Sequence, residues 1–97
     1  MEFIDIAGQS GTVYRFRRWP HTGAVPPIAG NYAIVDTRSR KALSVGVLDD
    51  LSQAPAALGA AASEGTIFTR FNVSRAQRET EHADLVAQHP HLSTNLA

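Results

Sequence analysis

The chain of 97 residues has no cysteine, one tryptophan, one methionine and no excess charge of either sign. Without cysteine there are no disulfides, no thiolate nucleophile and no cysteine-ligated zinc. Nine basic residues balance nine acidic ones. Diffuse electrostatic attraction to a polyanion is therefore absent, and any nucleic-acid role needs local clustering of arginine. No apolar run approaches the ~20 residues of a membrane span. The acidic start, Met1-Glu2-Phe3-Ile4-Asp5, lacks the basic-then-apolar order of a signal peptide. The expectation is a cytoplasmic protein.

What is present fits one small domain over residues 1–97. The hydrophobic share is 43%, and much of it is alanine, which buries little area. The core is thus expected to rest on large residues such as Phe3, Phe16, Tyr32, Phe68 and Phe71.

Periodicity sets the order of elements. Ile4 and Ile6 share a face of a short strand. The two glycines of Gly8-Gln9-Ser10-Gly11 mark a reversal. Over residues 12–19, Tyr14 and Phe16 alternate with Arg15 and Arg17, the pattern of a half-buried strand. Residues 1–20 thus form an N-terminal hairpin. The proline-bearing segment 20–27 is read as an ordered surface connector. Gly30-Asn31-Tyr32-Ala33-Ile34-Val35-Asp36 and Leu43-Ser44-Val45-Gly46-Val47 are two apolar strands joined by the basic loop Thr37-Arg38-Ser39-Arg40-Lys41, and they are expected at the centre of the sheet.

A helix opens around residues 48–51 with Asp49 as its cap. Pro55 requires it either to start near Ala54 or to kink. Residues 65–73 are strand by their β-branched and aromatic content. Ser74 and Gln77 match a capping box at the start of the last helix. Ala76, Ala83, Val86 and Ala87 are expected to form its apolar stripe, with Leu85 at the edge. It ends before Pro90, and the tail is expected to pack loosely. Hairpin, hairpin, helix, strand, helix is an α+β fold with a mostly antiparallel sheet and two helices packed on it.

Three sets of residues are candidates for chemistry. Arg15, Arg17 and Arg18 with Trp19 form the strongest basic cluster, able to hold phosphate and stack a base. The competing reading is a charged edge strand that resists aggregation. Arg38, Arg40 and Lys41 at the hairpin tip would extend such a surface. Glu81 is a helix carboxylate within reach of Arg78 at i−3. His89 and His91 flank Pro90 and are close enough in sequence to approach each other, but two imidazoles alone make a poor zinc site.

The central stretch resembles the GIY-YIG nucleases. Gly30-Asn31-Tyr32 followed by Ser44-Val45-Gly46 is similar to the two signature tripeptides of that family. Val47-Leu48-Asp49-Asp50-Leu51 is similar to the polar continuation into the family's first helix. Glu81, nine positions before Pro90, is spaced like its metal-binding glutamate. The likeness spans residues 27–95 and excludes the N-terminal hairpin. In active members, it implies, a tyrosine positions or deprotonates water, an arginine stabilises the phosphate and a glutamate holds one divalent ion. Those parts suit phosphodiester hydrolysis. The resemblance would thus make Tyr32 and Glu81 catalytic, with Glu81 the ligand of Mg2+ or Mn2+.

This sequence departs from the pattern. Ser44 stands where the second tyrosine is expected, and the helical arginine falls at about Ala54. Asn95 lies farther from Pro90 than the family's terminal asparagine. Two expectations follow. In the first, the domain has lost catalysis, needs no cofactor and binds nucleic acid through Arg15, Arg17 and Arg18, or a protein through a sheet edge. In the second, it is a metal-dependent endonuclease using Tyr32, Glu81 and an arginine from elsewhere, Arg70 or Arg78.

Overall fold

The computed structural model describes residues 2–19 and 26–94. Its strands are β1 (Phe3–Ala7), β2 (Val13–Arg18), β3 (Gly30–Asp36), β4 (Lys41–Leu48), β5 (Thr66–Phe71) and a short β6 (Ser93–Thr94). Its helices are α1 (Ala54–Leu58) and α2 (Arg75–Gln88). The sheet order is β1-β2-β5-β3-β4-β6. All neighbours are antiparallel except β4 and β6. This is the α+β architecture expected from the pattern of elements.

β3 lies between β5 and β4 and is buried along almost its whole length, as its unbroken apolar run requires. Each face of the sheet carries a buried cluster, the two separated by the alternation of side chains. On one face, Ile6, Tyr14, Phe16, Ala33, Val35, Val45 and Phe68 pack with Leu85 of α2 and with Leu92. On the other, Tyr32, Ile34 and Ile67 pack with Ala54 and Leu58 of α1. The pairing of β3 with β4 slips by one residue between Ile34 and Val35. Leu43 is the extra residue, and such a bulge bends and twists the strand. The sheet curls far enough that Ile4 of β1 and Ala42 of β4 pack against the same cluster.

Several expectations are corrected. Phe3 and Phe71 are 43% and 54% exposed rather than core. They sit on the α1 side of the sheet, where α1 covers β3 and leaves β1 and β2 open. Asp50, not Asp49, accepts from the Ser52 amide at the start of a 3-10 turn over Leu51–Gln53. The α-helix proper begins at Ala54 with Pro55 in its first turn and ends at Gly59, whose φ of 55° is left-handed. Ser74 caps α2 by accepting from the Gln77 amide.

The buried face of α2 is not the alanine stripe. Arg78, Glu81 and Leu85 point inward, and Ala76, Ala83 and Ala87 are exposed. Arg78 and Glu81 can be buried because Asp49, the Val73 carbonyl and Arg70 offset the desolvation cost of their charges. The tail is not loose as far as it is described, since Leu92 is buried and Ser93–Thr94 pair with β4. Most of the proline-bearing connector, and Asn95, lie outside the described residues.

Candidate nucleic-acid groove

Strand parity sends Arg15, Arg17 and Trp19 to one side of β2 while Tyr14 and Phe16 fill the core. Antiparallel pairing of β2 with β5 is short, Arg17↔Thr69 and Arg18↔Phe68, with Trp19 N donating to Ile67 O at 2.9 Å. Beyond it lies a groove of about 270 Å³ lined by Phe3, Arg15, Arg17, Arg18, Trp19, Pro26, Thr69, Arg70 and Phe71. The four residues singled out in the sequence thus share one concavity. Phe3, Arg70 and Phe71 join them. No local sequence signal places Phe71 here, because β5 comes beside β2 only through the sheet order.

The groove's cations are held in place. Arg15 donates from Nε to Asp5 at 2.8 Å and from Nη2 at 3.2 Å. Arg17 reaches Glu2 at 3.3 Å. Both guanidinium groups lie over the Phe3 ring, 5.3 and 5.6 Å from its centroid, in cation–π range. The Asp5 carboxyl is held below its ordinary range, chiefly by the Arg15 hydrogen bond. Arg18 is exposed and has no ion-pair partner among the described residues. The Trp19 Nε1 is buried without a hydrogen-bond partner among the described residues.

Arg70 closes one end of the groove and connects it to α2. Its Nε donates to Glu81 at 2.9 Å, and its guanidinium lies 5.5 Å from the Tyr14 ring centroid. Glu81 therefore pairs with Arg70, not with Arg78. Arg78 is spent elsewhere, donating to the Val73 carbonyl at 2.9 Å and to Asp49 at 3.2 Å. Asn31 lies between them, giving its Nδ2 to the Arg78 carbonyl and accepting from Asn72, each at 3.0 Å. Near the other end of α2, the Asp84 carboxylate accepts from the Ser10 hydroxyl, the Ser10 amide and the Tyr14 hydroxyl at 2.7 to 2.8 Å. These bonds, the Ser10 hydroxyl foremost, hold Asp84 below the usual carboxylate range. Burial and then the Asp84 bond push the Tyr14 phenol up.

Tyr32 and Glu81 are not brought together. Tyr32 pairs across the sheet with Gly46 and Thr69, and its fully buried ring belongs to the α1 cluster. Arg70 is paired with Asn31, one residue out of phase, so it and Glu81 belong to the α2 face. The ring of Tyr32 lies over Gly46. A Cβ on Gly46 would stand 2.5 Å from its Cε2, Cζ and Oη. A Cβ on Gly30 would meet the Arg70 carbonyl oxygen at 2.1 Å. Gly30 and Gly46 are thus both required by close packing. Ser44 is buried in β4.

Among the described residues no group of three His, Asp or Glu side chains converges to hold a metal ion. The Glu81 carboxylate, engaged by Arg70, does not fit the role of a divalent-ion ligand as it stands. His89 and His91 are 6.0 Å apart, ring edge to face, and His89 Nε2 bonds the Ala7 carbonyl at 2.8 Å. Arg40 and Lys41 do not extend the groove; they line a different cleft, with β1 and the two histidines. No described helix is long and apolar enough to cross a membrane. Comparison of the chain with known protein families, with curated proteins and with solved structures returned no match.

Proposed function

We propose that this chain is a catalytically degenerate domain of GIY-YIG type that works as a binding module, taking single-stranded nucleic acid in the groove between β2 and β5. The observation that carries the reading is the convergence of Arg15, Arg17 and Arg18 with Phe3, Trp19 and Phe71 in one concavity. Phosphates take the guanidinium groups, and an unstacked base lies on Phe71 and on the guanidinium planes fixed over Phe3.

The existing ion pairs do not block this. Asp5 and Glu2 are about half exposed, and exposed pairs are worth only about 0.2–1 kcal/mol. One stacked base contributes about 1–3 kcal/mol, enough to exchange a carboxylate for a phosphate. The groove lies on a sheet face and is smaller than the about 300–1,000 Å³ of drug-sized pockets. That suits one splayed base better than a duplex groove.

Loss of catalysis is supported by Ser44 and Ala54 at the positions where the family resemblance expects tyrosine and arginine, and by the separation of Tyr32 from Glu81 across the sheet. The endonuclease reading has one point in its favour, the approach of Arg70 to Glu81. A plasmid-nicking assay with Mg2+ and Mn2+ separates the two: no nicking is expected. Nicking that disappears in Glu81→Ala would replace the binding-module reading. For binding itself, titration of a labelled oligonucleotide at several salt concentrations should give a log–log slope near −0.7 per phosphate contacted. Three engaged arginines predict a slope of about −2, falling to about −0.7 in Arg15→Ala/Arg17→Ala. A slope unchanged by that pair would place the nucleic acid elsewhere.

A further inference from the structure

β1 is the outermost strand of the sheet among the described residues, and its ladder with β2 fixes which backbone groups are left over. The Glu2 carbonyl accepts from the Arg18 amide at 2.8 Å, and the Gly8 amide donates to the Thr12 carbonyl at 2.9 Å. With Ile4 opposite Phe16 and Ile6 opposite Tyr14, the even-numbered residues bond inward to β2. The N–H and C=O of Phe3, Asp5 and Ala7 therefore face away from the sheet. His89 meets the Ala7 carbonyl. No described strand pairs with the rest.

This edge is one wall of a cleft of about 370 Å³, and the start of β4 is the other. Ile4 and Ile6 give it an apolar lining, and Arg40, Lys41, His89 and His91 stand around it. Arg40 and Lys41 are exposed and make no ion pair among the described residues. The acidic residues of the β1 region, Glu2 and Asp5, are already matched by Arg17 and Arg15.

We propose that this edge receives an extended, acidic segment of a partner protein as an added strand, widening the curled sheet from β1 toward β4. The outward amides and carbonyls supply a main-chain ladder, and alternate side chains of the segment meet Ile4 and Ile6 or the unpaired cations. A second copy of β1 fits less well, since self-pairing sets Asp5 and Glu2 near their own kind. The site is separate from the arginine groove, so failure of oligonucleotide binding leaves it standing.

The test uses the whole chain and a fluorescein-labelled, N-acetylated peptide of alternating valine and glutamate, with a lysine-for-glutamate peptide as control. Saturable binding of the glutamate peptide is expected, about tenfold tighter than the lysine peptide, with slowed hydrogen exchange at the Phe3 and Asp5 amides. Asp5→Pro removes an outward N–H, which an edge strand tolerates, along with the carboxylate that pairs Arg15, and should weaken binding about tenfold or more. Asp5→Asn loses the same charge but keeps the N–H, and should bind like the parent. Should Asp5→Pro not fold, Arg40→Ala/Lys41→Ala decides, with an expected loss of about tenfold for the glutamate peptide. Equal binding of both peptides, no protection at Phe3 and Asp5, or indifference to the Arg40/Lys41 pair would overturn the proposal. So would loss of peptide binding in Arg18→Ala, which would assign the peptide to the groove.

Discussion

Adding one methyl group at Gly46 tests whether the glycine of the central hairpin is required by packing. The new Cβ would stand 2.5 Å from three atoms of the Tyr32 ring, where real contacts stay above 3.0 Å. The ring is fully buried between Ile34, Ile67, Ala54 and Leu58, so it has no open space to retreat into. Overpacking of this kind costs about 1–3 kcal/mol. Against that, alanine lowers the unfolded chain's entropy, a gain of about 0.4–1 kcal/mol. The net expectation for Gly46→Ala is a loss of about 1–2 kcal/mol, which for a domain of this size is a Tm drop of about 4–16 °C. Tyr32→Leu removes all three clashing atoms. In that background Gly46→Ala should be neutral or slightly stabilising, giving a coupling of about 1–2 kcal/mol in the double-mutant cycle. Urea unfolding of the four proteins measures it. Equal cost in both backgrounds would refute the packing account of Gly46.

The polar seam between α2 and the sheet gives further tests. Glu81→Gln leaves Arg70 without its counter-charge. A fully buried broken pair costs about 3–5 kcal/mol, but Arg70 is a third exposed, so about 1–3 kcal/mol is expected in urea unfolding. No loss of stability would mean that Glu81 is not part of the seam. Asp84, held below the ordinary carboxylate range by Ser10 and Tyr14, contributes stability that is present above that range and lost as pH falls through its lowered value. The drop in urea midpoint between about pH 6 and about pH 3 should be smaller in Asp84→Asn than in the parent. An identical drop would show that the Asp84 contacts do not form. Tyr14→Phe, which leaves Asp84 one donor short, should cost about 1 kcal/mol; an unchanged midpoint would count against the Tyr14–Asp84 bond.

How far the sequence could be read depended on whether a residue's fate was local. The alternation in β2, the Ser74 cap and the apolar run of β3 are decided by near neighbours, and each predicts its element correctly. Phe3 and Phe71 were misjudged because hydrophobicity says nothing about which half of a sheet face the second layer covers. α1 shelters Tyr32 and leaves the β1–β2 half bare. The buried face of α2 was misjudged for the opposite reason. Arg78 and Glu81 read as solvated charges until Asp49, the Val73 carbonyl and Arg70 are placed beside them, and those partners come from other elements. Arg15, Arg17, Arg18 and Trp19 were legible because they lie within five residues of one strand and its end. Arg70, which borders the groove from the α2 face, and the platform Phe71 were not, since β5 reaches β2 only through the sheet order.

The one tryptophan of the chain lines the groove, so fluorescence excited selectively at the indole, clear of the two tyrosines, reports on that site. Titration of the native protein with a short single-stranded oligonucleotide at low salt measures the central claim directly. The predicted result is saturable quenching of Trp19 that weakens with a salt slope of about −2 and largely disappears in Arg15→Ala/Arg17→Ala/Arg18→Ala. Unchanged Trp19 emission at low salt with excess oligonucleotide would contradict it.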